Sequence, residues 1–384
     1  MKITENPVLS RYRAETVCRH AFYGEEDLHL AEQYTPMKFL DDDLTELPTE
    51  NVSLVSVHEP DDRFGFLHEA AVIEYHGILF ASWYNCTVHE LNGYTPICEK
   101  RSYDGGRTWS ELQIVCEAPT WKIMYCPPVY AIEDDTLYML VNQMTAPDHI
   151  HSLDLYRLDP QTDRFEVLWS RPIPFKLNTN AVRLPNGKWM LPGRTGELDA
   201  FPNTPAVLIS DDGKIDSTWR LVKIAENGNL ADGSRLVHPE ISVICSEDIL
   251  YMFCRNDQRR VPLVYLSDDF GETWSEACGH DIPYIASKIY TGTLSDGRNY
   301  LIASIDRGNR SKLAVYFSEP DSVRFTGRMI LYDASAGTVP GTTASHYPAA
   351  YEADGRLYVI TTLNYGTFER RGALLYRIEL DQTR

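Results

Sequence analysis

Glu240 and Arg255 sit at two ends of one short hairpin. Val237-His238-Pro239-Glu240 opens an apolar strand and Leu250-Tyr251-Met252-Phe253-Cys254-Arg255 closes its partner, so a spacing of 15 sets a carboxylate beside a guanidinium. That pairing serves either as a strand-end salt bridge or as a working acid–cation pair. Matching strand openings supply His68, Glu69, Tyr125, Asn180, His238, Lys288, Tyr290, His346 and Tyr347, while second-strand ends supply Trp83, Asn85, Gln143 and Arg194. Three histidines at such openings are a chemical signal, because imidazole takes up and gives up a proton near neutral pH. His68 and His238 with nearby carboxylates also suit Zn²⁺ or Mn²⁺. No local H-x-x-x-H spacing supports that, and the expectation is a site with neither metal nor cofactor.

These side chains meet only if the backbone repeats. One phrase recurs six times, at His68-Glu69-Ala70-Ala71, Cys126-Pro127-Pro128-Val129, Asn180-Ala181-Val182-Arg183, His238-Pro239-Glu240-Ile241, Ser287-Lys288-Ile289-Tyr290 and His346-Tyr347-Pro348-Ala349. The openings are 58, 54, 58, 49 and 59 residues apart. Each phrase reads as two apolar strands around a Gly or Asp turn, and another strand pair follows, as in Ala206–Ser210 and Trp219–Ile224. Four strands in each of six repeats, with no convincing amphipathic helix, predict an all-β chain folded as a six-bladed β-propeller. The sixth repeat has only three strands of its own, so Asn51–His58 is expected to close it, leaving no open edge. Residues 51–384 then form a single domain after an extension over 1–50, in which Asp41-Asp42-Asp43 reads as a solvated turn.

Composition narrows the partners. With 36 Lys+Arg against 55 Asp+Glu, the formal charge is −19, which repels nucleic acid and anionic membrane. No run approaches the ~18 apolar residues of a membrane span, and Met1–Ser10 has no apolar signal core, so a soluble cytoplasmic protein is expected. The eight cysteines, none in C-x-x-C spacing, read as buried thiols in a reducing compartment.

Ser102-Tyr103-Asp104-Gly105-Gly106-Arg107-Thr108-Trp109 and Ser267-Asp268-Asp269-Phe270-Gly271-Glu272-Thr273-Trp274 both fit S-x-D-x-G-x-T-W. In such a turn the Asp carboxylate accepts N–H groups, Gly permits positive φ and Trp packs between blades. A third copy, Ser210 to Trp219, carries two extra residues. These structural hairpins should lie far from the active centre. Over about residues 51–380 the chain resembles the sialidase superfamily, whose six-bladed propellers carry such Asp-box repeats.

The resemblance implies a Tyr–Glu pair as nucleophile and base, three arginines around a substrate carboxylate, and an Asp as acid/base. It places the base at Glu240, a carboxylate-binding arginine at Arg255, the nucleophile at Tyr347 and the last arginine at Arg307, with Arg310 the alternative. Two departures stand out. Leu67-His68-Glu69-Ala70 replaces the first arginine motif, and the loop Trp83 to Asn92 holds no Asp, so His68 or Glu69 is expected to replace the acid.

The reading is a sialidase-like exo-glycosidase acting on oligosaccharides or glycoconjugates, with Arg255, Arg194 and Arg307 holding a terminal acidic sugar and His238, Tyr290, Asn180 and His346 completing the pocket. An acidic exterior around a locally basic pocket is expected. Two alternatives remain: a lyase in which His68 and Tyr347 abstract a proton α to a uronate carboxylate, and a propeller that binds a glycan or protein without chemistry.

Overall fold

Short apolar runs alternate with turns that Gly and Asp enter at positive φ, such as Gly77, Asp134 and Asp248, so successive strands fold back antiparallel. In this computed structural model the described residues are 33–118, 120, 122–224, 230–231, 233–257, 261–283, 286–306 and 309–383. Among them the one helical element is a 3-10 turn, Leu380–Gln382. The described residues are all-β, as expected.

The strands fall into six consecutive units. Unit one is Phe66–Tyr75, Ile78–Cys86, Ile97–Ser102 and Gln113–Cys116. Unit two is Met124–Glu133, Thr136–Ala146, His149–Asp159 and Arg164–Arg171. Unit three has a first strand split into Phe175–Leu177 and Val182–Arg183, then Trp189–Thr195, Thr204–Ser210 and Trp219–Lys223. Unit four is Ile241–Ser246, Ile249–Cys254, Leu263–Ser267 and Cys278–His280. Unit five is Tyr290–Thr293, Arg298–Ser304, Lys312–Pro320 and Phe325–Asp333. Unit six is Thr342–Ala353, Arg356–Tyr365 and Arg371–Glu379, and Val52–His58 pairs antiparallel with the last of these.

One pairing, Arg371 with Phe66, joins units six and one into an eight-stranded sheet, giving, among the described residues, five sheets of which none closes on itself. First strands of neighbouring units touch, including those of units six and one, except that Trp189–Thr195, the second strand of unit three, makes the contact with the first strand of unit four. The core lies between sheets: one cluster joins Phe66 and Phe80 of unit one to Tyr130 and Val141 of unit two, and another joins Met190 and Val207 of unit three to Val243 and Met252 of unit four.

The extension does not end in a solvated turn at Asp41–Asp43. Those residues lie in the strand Leu40–Glu46, which runs parallel along Phe325–Asp333, while Thr35–Met37 runs parallel along Cys278–His280. Asp281 accepts the Phe39 N–H at 2.8 Å, and Asp41 pairs with Arg324 at 2.7 Å, so the acidic run is held by backbone and cation partners.

The two S-x-D-x-G-x-T-W segments are self-braced. Asp104 accepts the N–H groups of Arg107 and Thr108, both at 2.9 Å, and Asp269 accepts that of Thr273 at 2.9 Å. A Cβ on Gly106 would meet Leu375 of unit six at 2.6 Å, and one on Gly271 would meet Met190 of unit three at 2.4 Å, so each turn docks on the preceding unit. Both turns follow third strands. They therefore lie at the opposite end of the units from the first-strand openings.

Candidate active site

First-strand openings are irregular where chemistry was expected. Register shifts fall between His68 and Ala71 and between His346 and Ala349, with Glu69 at φ 48° and Tyr347 at φ 53°. His238, before the first strand of unit four, has φ 49°. An extra residue in one strand re-aims a side chain, and a left-handed non-Gly residue stores strain that the surrounding fold must hold. The result is a cavity of about 490 Å³ lined by His68, Glu69, Glu90, Asp148, Lys176, Arg194, His238, Glu240, Arg255, Asn309, Arg310, His346, Tyr347, Asn364 and Phe368, among others.

Arg255 is the hub. Its Nη1 donates to Glu240 Oε2 at 2.5 Å and to the Tyr347 hydroxyl oxygen at 2.6 Å. Its Nε and Nη2 grip Asp257 at 2.6 and 2.7 Å, and Asp257 Oδ2 also lies 2.9 Å from His238 Nδ1. A second network joins Lys288 to Glu69, Lys176 to Asp148, and Arg194 Nη2 to Asp148 at 3.3 Å. Three rings form the remaining wall: His68 lies 4.1 Å from Tyr347 and 5.4 Å from His346, centroid to centroid. His68 Nδ1 meets Thr362 Oγ1 at 2.9 Å, and His346 Nε2 meets Asn364 Oδ1 at 3.0 Å.

Electrostatics follow from burial and neighbours. Burial would raise the Glu240 carboxyl, but Arg255, Lys288 and Arg194 outweigh it and hold the group at about 2, so it is an anion at neutral pH. Burial pushes the Tyr347 phenol up, with Arg255 opposing. Burial, reinforced by Arg371 and Arg310 among others, pushes both His68 and His346 well below their ordinary value, leaving neutral rings. Burial of Asp148 is outweighed by Lys176 and Arg194, which hold it well below the carboxylate range.

Of the expected site residues, Glu240, Tyr347, His68, Glu69, Arg255, Arg194, His238 and His346 line this one cavity. Arg307 lies outside the described residues; Arg310 lines the cavity, with its guanidinium 5.0 Å from the Tyr347 ring centroid. Asn180 and Tyr290 are elsewhere. They bond to each other at 2.6 Å and line a larger cavity, about 660 Å³, at the other ends of the first strands. Among the described residues no group of three His, Cys, Asp or Glu could hold a metal, and His68 and His238 engage Thr362 and Asp257.

The locally basic pocket needs correction. Glu69, Glu90, Asp148 and Glu240 face Lys176, Arg194, Arg255 and Arg310, so four acids balance four bases among the described lining residues. The pocket is cation-rich only against a chain of −19.

Sequence reasoning missed Glu90, Asp148, Lys176 and Asp257. Three of these acids share a signal: each follows the end of a second strand, at Cys86, Ala146 or Cys254, by two to four residues. That is where a loop turns over the first-strand openings.

Residues 77–359 match the family of BNR repeat-like domains. Among solved structures, the chain is similar to a protein of unknown function from Dyadobacter fermentans, with a TM-score of 0.67, 16% identity, and coverage of 86% of this chain and 99% of that one. The Hadza microbial sialidase Hz136 gives a TM-score of 0.67 at 12% identity, covering 85% of this chain and 68% of that one. Trypanosoma rangeli sialidase gives 0.63 at 16%, covering 86% of this chain; the match spans only 60% of the trypanosomal protein. No curated protein matches. No helix among the described residues is long and apolar enough to cross a membrane.

Proposed function

The chain belongs to the family of BNR repeat-like domains, and from that premise we propose a sialidase-like exo-glycosidase, built as a six-bladed β-propeller, that removes a terminal acidic sugar from oligosaccharides or glycoconjugates. The observation that carries this reading is that Glu240 and Tyr347 meet on one nitrogen of Arg255 inside a cavity large enough for a monosaccharide. The cyclic contacts of neighbouring units support the propeller.

A neutral phenol attacks poorly until a carboxylate takes its proton. In this mechanism the Tyr347 oxygen bonds to the anomeric carbon, its proton passes to Glu240, and Arg255 steadies the developing phenolate. The glycosidic C–O bond breaks and the leaving oxygen takes a proton; water then hydrolyses the glycosyl–tyrosine bond. A tyrosine avoids driving an anionic nucleophile against an anionic sugar. Glu69 is ion-paired with Lys288 and His68 is a neutral ring, so neither is suited to donate the proton. Glu90 lines the cavity from the loop after Ile78–Cys86 and is assigned as the acid.

The test is turnover of terminal sialosides and uronides by Glu240→Gln and Tyr347→Phe. Each variant should lose roughly 10²-fold or more in kcat. Unimpaired turnover in both would overturn the mechanism.

The neutral His68 ring, 4.1 Å from Tyr347, favours one second reading. As base it would take the proton α to a uronate carboxylate, Tyr347 would protonate the leaving oxygen, and a carbon–carbon double bond would form. New absorbance near the ultraviolet edge marks that product; hydrolysis yields none.

A further inference from the structure

The arginine that resemblance assigns to the substrate carboxylate has little left to offer. A guanidinium carries five N–H donors. Four of those on Arg255 are committed: Nε and one Nη2 donor to Asp257, and the two Nη1 donors to Glu240 and Tyr347. Charge gives the same answer. The Arg255 cation is already shared between two carboxylates, Glu240 and Asp257, which neutralise it toward a third anion.

Across the cavity the balance is reversed. Asp148 is one carboxylate shared by two cations, Lys176 and Arg194, which leaves a formal +1. Arg194 is 2% exposed and lines the cavity, yet Nε and Nη1 have no hydrogen-bond partner among the described residues. Three buried donors without acceptors are costly unless something supplies oxygen atoms. Nothing among the described residues of unit three satisfies them: Gly193 and Thr195 flank the residue, and Phe201 places only a ring beside it, 5.6 Å from the guanidinium.

The geometry points to Arg194 as the group that receives the acidic function of the substrate, with Arg255 committed to Glu240 and the reacting Tyr347 oxygen. This assignment rests on the acidic-sugar reading above and refines it: the carboxylate, or an equivalent sulfate or phosphate ester, lies toward units two and three, and the anomeric carbon toward Tyr347. Such a contact is a charge-assisted hydrogen bond in a buried setting, the strongest kind the chain can offer an anion.

The experiment compares an acidic glycoside with its neutral methyl ester. Arg194→Gln should raise KM for the acid about 10- to 100-fold, leave kcat within a few-fold, and barely affect the ester. Arg194→Lys, which keeps the charge, should recover part of the loss and serves if the Gln variant folds poorly. Arg255→Lys should instead lower kcat for both substrates. The assignment is overturned if Arg194→Gln changes acid and ester alike, or if Arg310→Gln alone shows the acid-specific loss. Should no glycoside be turned over, the enzymatic reading fails while the assignment stays testable by calorimetry, with glucuronate, N-acetylneuraminate and glucose as probes. Binding of an acid but not glucose, abolished by Arg194→Gln, supports it; binding unaffected by that change, or no binding of either acid, overturns it.

Discussion

Glu240 and Tyr347 accept hydrogen bonds from the same nitrogen, Arg255 Nη1, at 2.5 and 2.6 Å. The phenol oxygen and the carboxylate are thereby held in one plane of donors, and the cation that joins them also keeps the buried carboxylate ionised. Removing the guanidinium has a thermodynamic consequence before any kinetic one. Arg255→Met leaves Glu240 and Asp257 without their shared cation and should destabilise the fold by about 3–5 kcal/mol in urea unfolding. Adding Glu240→Gln should recover part of that loss. If the double variant is no more stable than the single one, the pair is not coupled as described.

Much of this was readable from the chain because hairpins leave a periodic trace. The six openings, His68, His238 and His346 among them, recur 49 to 59 residues apart, and apolar alternation around Gly or Asp turns marks each strand pair. Glu240 and Arg255 were legible because a tight turn makes their separation a distance. The strand over Leu40–Glu46 was not legible: three consecutive aspartates hide a segment that pairs through its backbone, with side-chain partners such as Arg324 more than 280 residues away. Asp148 and Asp257 were missed for a related reason. They sit in loops, two and three residues beyond their second strands, and their partners come from other units or from across a turn.

Buried neutral histidines should make the protein acid-sensitive. Burial depresses His58 to about 4 and His280 to about 3, and it drives His68 and His346 down as well. Below the unfolded value of 6.5 the unfolded chain takes up protons that these folded rings refuse, so stability falls as pH drops from 6.5 toward the folded values. Each ring contributes up to ~1.4 kcal/mol per pH unit in that window. Glu240 adds a later loss, as pH falls from 4.5 through about 2. Urea midpoints between about pH 7.5 and pH 4.5 read this directly, and His58→Gln should flatten the slope by one proton. A profile flat across that range would contradict it.

The pairing of Val52–His58 with Arg371–Glu379 depends on a residue without a side chain. A Cβ on Gly372 would lie 2.3 Å from the His58 carbonyl oxygen, a backbone atom that cannot rotate away. Gly372→Ala should therefore open this edge, cost roughly 3 kcal/mol, and admit protease ahead of Val52. Gly355→Ala is the control: its φ of +72° imposes strain, but nothing lies within 4 Å, so about 1 kcal/mol and no new cleavage is expected. Equal effects would show that the close approach does not matter.

In the proposed glycosidase, Glu90 can be separated from Tyr347 by the leaving group. It lines the cavity from an exposed loop and accepts the Tyr84 hydroxyl at 3.1 Å, and no other carboxylate follows the end of Ile78–Cys86 before the next strand. A general acid matters in proportion to the basicity of the oxygen it protonates. Glu90→Gln should then reduce turnover of an alkyl or sugar glycoside by roughly 10²–10⁴-fold while sparing an aryl glycoside whose phenolate leaves unaided. Glu240→Gln should impair both, because the tyrosine must be activated whatever departs. Equal losses on the two substrates for Glu90→Gln would place the carboxylate in binding and return the acid role to another group at the same opening.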